Sequence, residues 1–177
     1  MMYRRSWSLC LLLWFSLCGA VAQADTREAD AHFFDQTLGD LREELNTARA
    51  AGQQGLLLFF EMDECPFCAR MKDTVFNQIK VQEAVKPHFL VLPIDIEGDV
   101  ELVDFKGNTL SSKDFSQKLH RVRATPVMIF YDLQGETLYR HTGPTKDTQE
   151  FLWLVDYVRT GQYKTLKFSQ LRQQQAP

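Results

Sequence analysis

Cysteine is scarce in this chain, with four in 177 residues, and two of them, Cys10 and Cys18, fall within the first 24. The remaining pair, Cys65 and Cys68, stands three residues apart. A loop that short is no staple for a domain of this size, because disulfide stabilisation grows with the length of loop closed. The pair is therefore there for chemistry. Lys and Arg nowhere gather into a block, which removes the electrostatic footprint that a nucleic-acid backbone requires. The histidines, His32, His88, His120 and His141, are scattered without ligand spacing. One pair of thiolates falls short of the four ligands that structural zinc takes, and Pro66 stiffens the loop between them, so a metal-binding module is the weakest reading. The histidines read instead as surface or helix-end residues. No metal and no cofactor is expected.

Long apolar runs are also few. Arg4 and Arg5 precede one, Leu9 to Val21, which is short for a membrane span, and Ala22-Gln23-Ala24 supplies a small-x-small cleavage pattern. Residues 1–24 therefore read as a cleavable secretory signal. Leu9 and Leu17 stand before Cys10 and Cys18, where lipidation needs a small residue. Cleavage would remove two of the 20 basic residues and none of the 23 acidic ones, leaving a mature charge of −5. The expected location is the periplasm, where a redox-active thiol pair is at home. With 45% hydrophobic and 24% charged residues, the rest suits one domain with a core of its own, expected over 25–168. The Gln-rich end, 169–177, has little to bury and is expected to fray.

What is present centres on Gly55 to Lys72. Leu56-Leu57-Leu58-Phe59-Phe60 is a continuous apolar run and reads as a buried strand, and the Met71, Val75, Ile79 spacing reads as a helix reaching about Lys80. The cysteines thus fall where a strand passes into a helix. Pro66 suits the first helical turn, which needs no proline N–H. Cys65 then sits at the helix N-terminus, where unpaired N–H groups and the positive end of the dipole favour a thiolate. It reads as the attacking sulfur. Cys68, one turn on, can close a disulfide with it or resolve a mixed disulfide.

Around this centre the chain alternates. Leu38, Leu41, Leu45 and Ala48 describe an amphipathic helix ending at Gly52. Phe89 to Asp95 is a second strand, in which Pro93 requires an edge position or a bulge. Residues 96–110 read as an inserted hairpin turning at Lys106-Gly107-Asn108, with Val100, Leu102 and Phe105 on its inner side. Ser111 and Asp114 have capping-box spacing ahead of a short helix that buries Phe115 and Leu119. Val127 to Tyr131 and Glu136 to Arg140 form a strand pair about the turn Asp132 to Gly135, and a last helix runs from about Asp147 to Thr160, carrying Phe151, Leu154, Val155 and Val158 on its buried stripe. Trp153 and Tyr157 read as partial core. The fold class is α/β, a central mixed sheet with helices on both faces.

A strand running into Cys65-Pro66-Phe67-Cys68 on a helix, then Thr125-Pro126 before a strand, a hairpin, Gly143 and a closing helix, resembles the thioredoxin superfamily. The signal, the CPFC centre and the inserted segment with Asp104-Phe105-Lys106-Gly107 are most similar to the SoxW-type periplasmic thioredoxins. The resemblance implies a thioredoxin fold and a thiol:disulfide oxidoreductase in which Cys65 and Cys68 react. It also implies a cis bond before Pro126, packed opposite the cysteines. Thr125 and Pro66 would then contact a substrate strand. Phe67 reads either as an exposed apolar contact for substrate near Cys65 or as cover for the active-site helix. The chain departs from cytosolic thioredoxins at two places: Phe59 stands where they carry a buried Asp, and Glu64 where they carry Trp. Glu61 is the nearest acid that could relay a proton to Cys68.

The direction of electron flow follows from what surrounds Cys65. A stabilised thiolate makes such a pair oxidising, and an unstabilised one makes it reducing. Pro66 and Phe67 carry no charge, Asp63 and Glu64 oppose the thiolate, and the helix dipole with Arg70 or Lys72 supports it. The expectation is a reductant of periplasmic protein disulfides. The resemblance implies a DsbD- or CcdA-type thiol transporter in the inner membrane as electron donor. A disulfide oxidase or isomerase is the alternative, although the segment before Asp40 is too short and weakly apolar for a dimerisation arm. A monomer is expected.

Overall fold

The structure, a computed structural model, describes residues 25–175; the expected signal segment, 1–24, lies outside the described residues. Elements follow in the order α1 (Ala29–His32), α2 (Leu41–Ala50), β1 (Gly55–Glu61), α3 (Pro66–Met71), α4 (Ile79–Val85) and β2 (Phe89–Asp95). Next come β3 (Glu101–Val103), β4 (Thr109–Ser111), α5 (Ser112–Asp114), β5 (Val127–Asp132), β6 (Thr137–Thr142), α6 (Thr148–Arg159) and α7 (Phe168–Gln175).

One mixed sheet runs in the order β2-β1-β5-β6, with β1 parallel to β2 and antiparallel to β5, and β6 antiparallel to β5. The apolar run of β1 puts it in the middle, since its side chains are buried on both faces. Pro93 lies on β2, at the edge. The Val91 N–H points away from β1, donating to Asp35 Oδ2 at 2.8 Å, so the same-side position two residues on loses no ladder bond by being proline. Gly55 lets β1 and β5 close up, because a Cβ there would stand 1.8 Å from the Tyr131 carbonyl oxygen.

Alternation along β1 divides the core. Leu57 and Phe59 face a layer built from α1, α3, α4, α6 and α7, where Phe33, Phe76 and Phe151 pack at ring-centroid distances of 4.2 to 6.1 Å. Leu56, Leu58 and Phe60 face α2, the β3-β4 hairpin and Phe115, which follows α5. Side chains cap the helices: Asp40 accepts the Arg42 N–H at the start of α2, Ser111 the Asp114 N–H at α5, and Asp147 the Glu150 N–H at α6.

The structure departs from the sequence expectations in several places. Leu38, expected on the buried face of α2, precedes that helix and is fully exposed. The helix expected from the cysteines to Lys80 passes from α3 into a π-helical turn, Lys72–Phe76, and breaks at Asn77. The N-terminal segment takes the freed backbone groups there: Arg27 N–H donates to Asn77 O at 2.7 Å, and Ile79 N–H to Asp25 O at 3.0 Å. A second π-helical turn, Phe115–Leu119, rotates Leu119 out to 51% exposure, while Phe115 stays buried. Val100 is 77% exposed and leaves the inner side of the hairpin to Leu102. Tyr157 is fully buried, not partial core, while His120 sits at a helix end as expected, closing the second π-helical turn, with its ring half-buried among Phe60, Phe115 and Tyr131. Finally, the end expected to fray from Ser169 is α7. Phe168 and Leu171 join the larger core, and Arg172 pairs with the buried Glu150 at 2.7 Å.

Candidate active site

Strand β1 ends at Glu61, and Met62 to Glu64 turn the chain into α3, with Glu64 at φ 56°. Cys65 is the residue capping α3 and Pro66 its first helical position. The Cys68 N–H donates to Cys65 Sγ at 3.1 Å, so the sulfur occupies the place of a capping oxygen at the positive end of the helix. Cys65 and Cys68 are joined in a disulfide, their Cα atoms 5.2 Å apart. Both residues are largely buried, at 7% and 3% exposure, and Cys68 is the deeper. Phe67, between them, is 56% exposed.

The loop before β5 brings Thr125 and Pro126 against the cysteines, with the Thr125-Pro126 peptide bond cis. The Thr125 hydroxyl donates to Cys65 Sγ at 3.2 Å. Two donors from distant parts of the chain thus converge on one sulfur. Neither the N–H nor the C=O of Thr125 has a backbone partner among the described residues, whereas the Pro126 carbonyl accepts from Gly143 N–H at 2.9 Å.

On the other side of the cysteines lies an open groove of about 480 Å³, lined by Glu61, Asp63, Glu64, Lys72 and Asp95 as well as the two cysteines. Glu61 is on the same side of the sheet as Phe59 and Cys68, by the alternation of β1. Its carboxylate receives Lys72 Nζ at 2.9 and 3.0 Å, and the same ammonium reaches Asp30 at 3.0 Å. Burial raises the Glu61 pKa, against the lowering effect of Lys72. No hydrogen bond joins Glu61 to either cysteine among the described residues. The Arg70 guanidinium, on the far flank of α3, donates to the carbonyls of Thr145 and Lys146 at 2.8 and 3.1 Å.

The structure thus brings together Cys65, Pro66, Phe67, Cys68, Thr125 and Pro126, and sets Glu61 in the adjoining groove. The Thr125 hydroxyl bond to Cys65 and the Glu61-Lys72-Asp30 chain escaped the sequence reading. The only sequence signal for the first is a Thr next to the key proline; the second joins residues up to 42 positions apart and leaves none.

The model of a thioredoxin-like domain matches residues 41–159. No curated protein matches the chain. A thioredoxin-fold protein from Helicobacter pylori is similar at 25% identity and a TM-score of 0.55, covering 65% of this chain and 74% of that one. A putative disulphide-isomerase from Bacteroides thetaiotaomicron shares the fold at 23% identity and TM-score 0.56, covering 82% of this chain and all, 100%, of that one. The C-terminal domain of DsbD from Neisseria meningitidis, in its reduced form, shares it at 17% identity and TM-score 0.50, covering 67% of this chain and 94% of that one. With the cysteine pair at the head of α3, this chain belongs to the thioredoxin-like family and is a thioredoxin-like disulfide oxidoreductase.

Proposed function

We propose that the chain works as an exported reductant of protein disulfides in the periplasm, drawing electrons from an inner-membrane thiol transporter of the DsbD or CcdA type. The observation that carries the direction is the charge around Cys65. Among the described residues, two donors reach its sulfur, both neutral: the Cys68 N–H and the Thr125 hydroxyl. Lys72 is committed to Glu61 and Asp30, and Arg70 to backbone carbonyls, so no cation bonds to the sulfur among the described residues, while Asp63 and Glu64 stand just before it. A thiolate held by neutral donors alone is less stabilised than one with a cationic partner, which favours a reducing pair.

In the reaction, the Cys65 thiolate attacks a substrate sulfur and the other substrate sulfur leaves as a thiolate. Cys68 loses its proton and attacks Cys65, the disulfide closes, and two electrons have passed to the substrate. The unpaired backbone groups of Thr125 offer an extended substrate strand a partner beside Cys65, with Phe67 as its apolar contact. Glu61 accepts the Cys68 proton through solvent in the groove that both border. The periplasmic location and the donor rest on residues 1–24 and on the resemblance to SoxW-type proteins.

The equilibrium potential of the Cys65-Cys68 pair tests this. A value near or below about −270 mV supports a reductant, and one near about −120 mV overturns it in favour of a disulfide donor.

A further inference from the structure

We propose that the Cys65-Cys68 centre selects its partners by charge, reacting preferentially with disulfides carried on cationic segments. The inference rests on the oxidoreductase reading above and names the class of partner for that same site.

The site is fixed by the disulfide; the wall beside it is fixed by four carboxylates. Glu61, Asp63, Glu64 and Asp95 line the groove that opens onto both cysteines, and Lys72 is the one cation in that lining. Lys72 is already neutralised, with Glu61 at 2.9 Å and Asp30 at 3.0 Å. Asp63, Glu64 and Asp95 are exposed and have no basic partner within ion-pair distance among the described residues. Arg70 lies on the other flank of α3, tied to Thr145 and Lys146. Arg121 and Arg123 are on the loop leading to Thr125, outside the groove's lining. A disulfide approaching Cys65 across the groove therefore meets uncompensated negative charge, which draws in cationic groups and repels anionic ones.

The chemistry is balanced without a further reactant. The reduced pair gives two electrons and two protons to the incoming disulfide, which leaves as two thiols, and the Cys65-Cys68 disulfide closes. Charge enters only in the encounter and in the mixed disulfide.

The test measures the rate constants of the reduced protein with three small symmetric disulfides: cystamine, a dication; hydroxyethyl disulfide, neutral; and dithiodipropionate, a dianion. Each rate is divided by that of free dithiothreitol with the same compound, which removes intrinsic disulfide reactivity, and then by the neutral compound's value in the same variant, which removes changes in thiol reactivity. At about 10 mM salt, cystamine should exceed dithiodipropionate by about tenfold or more, within the range of electrostatic steering. The ratio should fall towards one at about 500 mM salt, where screening reaches only a few ångströms. It should fall several-fold in the Asp63→Asn/Glu64→Gln double variant and also in Asp95→Asn, which lies on β2 rather than in the turn before α3. Equal rates at low salt would overturn the inference, as would a preference that persists in high salt and in both variants. If the protein reduces none of the three, the neutral compound included, the reductant reading itself fails.

Discussion

The Cys65 sulfur accepts from the Cys68 N–H at 3.1 Å and the Thr125 hydroxyl at 3.2 Å. Both bonds strengthen when the sulfur carries charge, so they favour the reduced form's thiolate. Thr125→Val keeps the shape and removes one donor. A hydrogen bond to a charged group is worth about 1.5–3 kcal/mol, less at a soft sulfur acceptor, so the Cys65 pKa should rise by about one unit. The potential should become more negative by up to about 30 mV, because a dithiol whose thiolate is less stabilised is the better reductant. Thiol titration and glutathione equilibration of the variant check both signs. Glu61 gives a second expectation at this scale. Burial lifts its pKa above the ordinary carboxylate value, so it is a better proton acceptor than an exposed Glu at neutral pH. Glu61→Gln should alter the pH dependence of disulfide reduction, removing a limb on its acid side. A profile that matches the unaltered protein's would end any part for Glu61 in moving the Cys68 proton.

Among the elements, α7 has the clearest energetic consequence. It adds the buried Phe168 and Leu171 to the larger core, sets the Phe168 ring 5.3 Å from Tyr157 and 5.6 Å from His141, and places Arg172 on Glu150. Burying an aromatic and a leucine contributes about 1.5–3 kcal/mol each as an upper estimate. A chain ending at Lys167 should therefore be less stable than the full chain by about 3 kcal/mol, read as a lower urea midpoint. An unchanged midpoint would mean that α7 holds nothing down. The π-helical turn after α3 matters differently: it carries Lys72 on its first residue, in reach of Glu61 on β1 and Asp30 on α1. The ion triad therefore depends on three elements meeting.

For the molecule as a whole, acid stability turns on the joint between the second core and the sheet. His120 packs against Phe60 and Phe115, with the Tyr131 hydroxyl 3.2 Å from Nδ1 and Arg140 donating to its carbonyl at 2.6 Å. Burial, reinforced by the Arg140 charge, lowers its pKa to about 4. The unfolded chain protonates His near pH 6.5, so the neutral ring's contribution is whole above that pH and is lost as pH falls towards 4. The loss over that window is about 3 kcal/mol at most, at about 1.4 kcal/mol per pKa unit. Thermal melts should show the unaltered protein losing stability between these pH values, and His120→Gln losing clearly less. Parallel curves would mean that the ring is free to protonate in the folded state.

The sequence by itself determined the parts of this protein that are local. The run Leu56 to Phe60 read as a strand covered on both faces, Pro66 after Cys65 placed one sulfur at a helix start, and Ser111 with Asp114 marked a cap. That β2 lies at an edge or bulges near its end was legible for the same reason, since Pro93 lacks an N–H wherever the strand goes, and the sheet order decided for the edge. The helix break at Asn77, the outward turn of Leu119, the half-buried His120 and the ordering of α7 were not, because each depends on what the rest of the chain offers. Asn77 gives up helical bonding to the segment Asp25–Arg27, and α7, with two apolar residues in a polar stretch, is held only because Tyr157, His141 and Glu150 wait beneath it. At the site, sequence supplied the reacting sulfurs and nominated Glu61, while the fold alone supplied the Thr125 hydroxyl on Cys65 and the neutralisation of Lys72. Helix starts and strand faces follow from spacing within one segment. Which donors and charges meet across a groove follows only when distant segments are packed against one sheet.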